Sequence, residues 1–122
     1  MLNQLKERTN KNLIWKDFSE QITKERVIKS DSEVKKIEEA ISISDRAFNT
    51  VSKKIKEGMT EEEIAWEMEK EMRILGAESI SFDTIVASGI NGAKPHHSPT
   101  EKKISDGEAI TIDMGAKFNG YC

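Results

Sequence analysis

Three side chains near the end of this 122-residue chain carry most of its capacity for chemistry: His96 and His97 in PHHSPT, and Asp113 in EAITIDMGA. A carboxylate within an apolar strand costs free energy unless it meets water, a hydrogen-bond donor or a metal ion. Alternation puts Ile110, Ile112 and Met114 on one face, and Thr111, Asp113 and Gly115 on the other. The polar face is either a solvated surface or a ligand-bearing one. The hairpin that follows bears on this choice. Asn119-Gly120 is a two-residue turn, so Phe118 pairs with Tyr121. In that register position 126 faces Asp113 and position 124 lies diagonally beside it, where two carboxylates can share ions. Both positions lie beyond Cys122.

His96 and His97 sit between Pro95 and Pro99, which restrict the backbone and suit a loop that presents a side chain. Neighbouring residues of an extended loop point in different directions, so at most one histidine faces a given site. Two solvated loop histidines are the plainer alternative. A zinc pair needs i,i+4 spacing on a helix or further ligands, and neither accompanies them.

Two helices precede these residues. Ser30 and Glu33 have the spacing of a capping box, and Val34, Ile37, Ile41, Ser44, Phe48, Val51 and Ile55 follow at steps of three and four. With Ala40 and Ala47 they predict an amphipathic helix of about six turns that stops near Gly58. Thr60 and Glu63 form a second capping box, with Met59 and Ile64 placed as a hydrophobic staple. Glu61, Glu62 and Glu63 lie where the helix dipole favours anions. Ile64, Met68, Met72 and Leu75 form the buried stripe, and Gly76 is the stop. Beyond it the pattern predicts a strand over 82–87, a loop over 93–105 and a strand over 109–116. The order implies an α+β fold, with two amphipathic helices packed on an antiparallel sheet. Residues 1–29 are weakly patterned and read as a helix or two, or as a linker.

Composition excludes several classes. The net charge of −3 leaves no footprint for nucleic acid or an anionic membrane. One cysteine rules out a disulfide framework within the chain. The N-terminal residues lack the apolar core of a signal peptide, and a cytoplasmic setting is the default.

In combination, RVIKSDSEVKKIEEA at 26–40, EGMTEEEIAWEME at 57–69, SFDTIVASGINGAKPHHSPT at 81–100 and DGEAITIDMGAKFNGYC at 106–122 carry a resemblance. They resemble the start of the catalytic domain in the Xaa-Pro aminopeptidase/prolidase branch of the methionine aminopeptidase–creatinase superfamily. The resemblance implies the first half of a pita-bread fold over 26–122, with 1–25 a connector or the remnant of an N-terminal domain. It implies a peptide substrate with proline at the second position, and two divalent ions (Mn, Zn or Co) held by two Asp, one His and two Glu. Asp113 matches the first of those Asp residues. His96, directly after Pro95, matches the histidine that contacts substrate and helps stabilise the reacting carbonyl; His97 matches a variable position and takes no role. The other ligands would lie beyond Cys122, so the chain alone is expected to be inactive and not to bind the ions stably. Its sheet edge would be open, which leaves a homodimer as one way to pair it. A catalytically dead peptide-binding module and a creatinase-like hydrolase that needs no metal are the alternatives.

Overall fold

Capping sets where the long helices begin. A computed structural model describes residues 16–122, and the expectations for residues 1–15 lie outside the described residues. The first helix among the described residues, α1 (Ser19–Val27), buries none of its residues. In α2 (Asp31–Val51) the Ser30 hydroxyl accepts from the Glu33 N–H, while the Glu33 carboxylate accepts from the Ser30 N–H at 2.7 Å. Thr60 and Glu63 repeat this at α3 (Glu61–Ile74), with bonds of 2.8 and 3.1 Å. Both capping boxes expected from spacing are formed.

Among the described residues the strands are β1 (Ser79–Ile80), β2 (Ile85–Ser88), β3 (Ile110–Asp113) and β4 (Ala116–Lys117). They form two antiparallel pairs, β1 with β4 and β2 with β3. The single strand expected over 109–116 is therefore interrupted. Between the pairs Ile80↔Ala116 and Ile85↔Asp113, Ser81 to Thr84 stand opposite only Met114 and Gly115. This bulge bends the ladder directly beside Asp113, and bulges commonly re-aim side chains near sites. Gly115 permits it: a Cβ there would collide with the Ser81 hydroxyl and crowd the Phe82 ring.

One face of this ladder meets the helices. Val51, Ile64, Met68, Val86 and Ile104 form one core cluster, against which Ile110 and Ile112 pack. Ile43, Ala47, Met72, Ala77 and Ala116 form the second, under β1 and β4. Each large aliphatic side chain buried here contributes about 1.5–3 kcal/mol. The buried stripe of α2 is rotated from the one expected. Ala40, Ile43, Ala47 and Val51 are buried, whereas Ile41 and Phe48 are largely exposed. Ala40, Ile43, Ala47 and Val51 thus form the side of α2 that faces the core, and Ile41 and Phe48 lie outside it.

Thr111 and Asp113 lie on the opposite, exposed face of β3. The hairpin has the expected register: Phe118 and Tyr121 exchange backbone bonds of 2.7 and 2.9 Å. Asn119 and Gly120 both have positive φ, 47° and 81°, as a turn matched to strand twist requires. The Tyr121 hydroxyl donates to Glu33 at 3.0 Å and ties the hairpin to the start of α2. No described helix is long and apolar enough to cross a membrane.

Candidate active site

The loop that carries both histidines is fastened to the first turn of α3. Helix N-termini leave backbone N–H groups without intrahelical partners. Here the Glu61 N–H donates to the Lys102 carbonyl at 3.1 Å and the Glu62 N–H to the Thr100 carbonyl at 3.2 Å. Just upstream, Gly58 and Ile104 are joined by a backbone bond of 2.9 Å, and Ile104 donates to Met59 at the same distance. The return segment of the loop thus caps the helix.

Glu61 is the centre of this junction. It was expected only as an anion favoured by the helix dipole in the first turn, and it is fully buried. Its Oε1 accepts from the Ser88 N–H at 2.8 Å, the Ser88 hydroxyl at 2.9 Å and the Asn91 amide at 3.0 Å. Its Oε2 accepts from His97 Nε2 at 2.9 Å, the Thr100 N–H at 3.1 Å and the Thr100 hydroxyl at 2.7 Å. Burial pushes the Glu61 carboxyl up, but bonds from His97, Asn91, the Ser88 N–H and Thr100 outweigh it and hold the group well below the usual carboxylate range. An ionised carboxylate only accepts, so His97 Nε2 must carry the proton it shares.

The network runs on through Lys102. Its ammonium donates to the Ser88 hydroxyl at 2.9 Å and to both Glu108 oxygens at 2.6 and 2.8 Å. Glu108 also accepts from the Ser105 N–H at 3.1 Å. The Lys102 bond, with that of the Ser105 N–H, lowers the Glu108 carboxyl from its ordinary range. Gly89 is held against this pair at φ +51°, where an added Cβ would strike the Glu108 carboxylate. Gly89→Ala should therefore cost about 1–2 kcal/mol in urea unfolding, from left-handed strain and displacement of that carboxylate.

After Gly89 a 3-10 turn, Gly89–Ala93, carries the chain back over the sheet. A methyl group on Gly92 would lie 3.6 Å from the Thr111 hydroxyl, two residues from Asp113 on the same strand face. The loop thus borders the open face that bears Asp113. His96 is exposed in the left-handed region, φ 55°. His97 is buried against Glu61. The structure therefore separates the two histidines, one outward and one inward. Asp113 pairs through its backbone with Ile85 and is exposed, as a surface aspartate on a half-buried strand would also be. Among the described residues no hydrogen bond or ion pair engages its carboxylate, and no group of three or more His, Cys, Asp or Glu side chains is placed to hold a metal ion.

Sequence reasoning missed Glu61 and His97 as partners. A signal was present. Ser88, Asn91, His97 and Thr100 are donors, and no Asp or Glu occurs between Asp83 and Glu101. A carboxylate for them had to come from another element.

Comparison with known proteins places these features in a family. The profile of metallopeptidase family M24 matches residues 35–122. The chain is 40% identical over 107 residues to the Xaa-Pro dipeptidase of Pyrococcus horikoshii, covering 88% of this chain and 30% of that protein. Among solved structures, the prolidase from Pyrococcus furiosus superposes with a TM-score of 0.82 at 39% identity, over 85% of this chain and 31% of that one. The X-Pro aminopeptidase from Thermotoga maritima gives 0.78 at 44% identity, over 81% and 28%. The chain spans about a third of the length of the curated relatives it matches. Its helices and small antiparallel sheet match part of the pita-bread fold.

Proposed function

The chain belongs to metallopeptidase family M24, and on that basis we propose that residues 26–122 form the N-terminal portion of the catalytic domain of an Xaa-Pro peptidase. Residues 1–25 are then a connector or the remnant of an N-terminal domain. The observation that carries the reading is the matched stretch itself, which runs from α2 through the histidine loop to the hairpin after Asp113. The substrate proposed is a peptide with proline at its second position. Asp113 is assigned as one metal ligand and His96 as the residue that contacts substrate near the scissile carbonyl.

The described residues do not by themselves fit a centre of two divalent ions. Asp113 offers one exposed carboxylate, and hard divalent cations need several oxygen or imidazole ligands at once. Hydrolysis is therefore assigned to an assembly in which further ligands join Asp113, with Mn, Zn or Co as the candidate ions. Cys122 is a free, exposed thiol, which suits the reducing compartment proposed for the enzyme, the cytoplasm.

Incubating the 122-residue chain with an Xaa-Pro dipeptide and each of these ions should release no proline above the buffer rate. Metal-dependent release by the chain alone would overturn the assignment of Asp113 as an incomplete ligand set.

A further inference from the structure

The proposed function gives His96 a task and leaves His97 without one. We propose that His97 and Glu61 form a clamp that positions His96: both flanks of the loop end on the Glu61 carboxylate, and this holds His96 left-handed with its imidazole exposed. The proposal rests on the peptidase reading only for what His96 then does. The clamp itself is a property of this chain.

A non-glycine residue at positive φ persists where its surroundings over-determine it, and such residues concentrate at functional sites. His96 has φ 55°. On its N-terminal side the Lys94 N–H donates to the Asn91 carbonyl at 3.0 Å, and the Asn91 side chain is bonded to Glu61. On its C-terminal side, His97 and Thr100 are bonded to the same carboxylate. The chain from Asn91 to Thr100 is thus a short arch with both feet on one buried acceptor. The His97 side chain is 6% exposed and Glu61 is 0% exposed, so water does not compete for this bond. His97 takes the inward direction, and the residue before it is turned out.

The chain has two histidines, which makes the test simple. Diethyl pyrocarbonate acylates accessible imidazole nitrogens. In the wild-type chain His96 should react and His97 should lag by about tenfold or more, as a group reached only through local opening does. The 13Cα and 13Cβ shifts of His96 should report a left-handed residue. His97→Gln keeps an N–H donor for Glu61 and should preserve both the His96 shifts and the slow exchange of the Thr100 amide. His97→Leu fills similar space without a donor, and should move the His96 shifts to extended values and speed Thr100 exchange. Glu61→Gln should make His97 reactive. If that variant fails to fold, the two His97 variants decide the matter. Equal acylation of the two wild-type histidines, or identical behaviour of His97→Gln and His97→Leu, would overturn the clamp. None of these readouts uses hydrolysis. A chain with an intact clamp whose complete enzyme ignores Xaa-Pro peptides would count against the proposed function and leave the clamp standing.

Discussion

Replacing Glu61 with glutamine should destabilise the fold by about 3 kcal/mol or more, read as a lower urea midpoint at an unchanged slope. The substitution keeps the shape of the side chain and removes only its charge and one acceptor. All six groups facing the carboxylate are donors: the Ser88 N–H and hydroxyl, the Asn91 amide, His97 Nε2, and the Thr100 N–H and hydroxyl. A glutamine amide must turn its own N–H groups toward one half of them. If the nitrogen replaces Oε2, His97 and Thr100 lose their acceptor. If it replaces Oε1, both Ser88 donors do, and Asn91 keeps only its longer bond to Oε2 at 3.2 Å. Hydroxyls can rotate and His97 can change tautomer, but the two backbone N–H groups cannot. Each lost bond to a charged acceptor is worth about 1.5–3 kcal/mol. The acid dependence follows from the lowered carboxyl. A depressed folded-state value stabilises the fold at pH above the ordinary carboxylate value of 4.5 and loses that contribution as pH falls through the folded value. The gap between wild type and variant should hold from neutrality to about pH 5 and narrow below it. Equal stability at pH 7 would show that this junction does not support the fold.

Asp113→Ala should do the opposite: leave stability within about 0.5 kcal/mol and remove activity. The side chain is exposed and, among the described residues, bonded to nothing, so its loss empties no core and orphans no partner. In an enzyme with its other ligands present, the rate should fall by at least about 100-fold. Groups that only orient metal ligands are worth about 10–100-fold, and a ligand itself is worth more. The two variants thus divide the molecule. Glu61 is buried against Ser88 of β2, and its loss should be read in stability; Asp113 lies on the open side of β3, and its loss should be read in rate.

Local signals were legible where local physics decides. The capping boxes at Ser30 and Thr60 and the turn at Asn119-Gly120 need only neighbouring residues, and all three are formed as their spacing implies. Alternation placed Asp113 on the face away from the helices. What escaped sequence reasoning depends on distant partners. The bulge of Ser81 to Thr84 exists only relative to Met114 and Gly115, so no period in either segment announces it. The exposure of Ile41 and Phe48 follows from which side of α2 meets α3 and β4, which a helical stripe does not encode. Glu61 matched a favourable dipole position in the first turn, and that local explanation concealed its contacts 27 to 39 residues away.

The central claim is that this chain supplies Asp113 and the histidine loop to an Xaa-Pro peptidase. The direct measurement is proline release from an Xaa-Pro dipeptide by a chimera in which residues 26–122 replace the matching third of one of the Xaa-Pro dipeptidases, assayed with divalent metal. The expected result is metal-dependent release that Asp113→Ala reduces by at least about 100-fold while leaving the melting temperature unchanged. A folded chimera that binds metal and releases no proline, or one whose rate ignores Asp113→Ala, would contradict it.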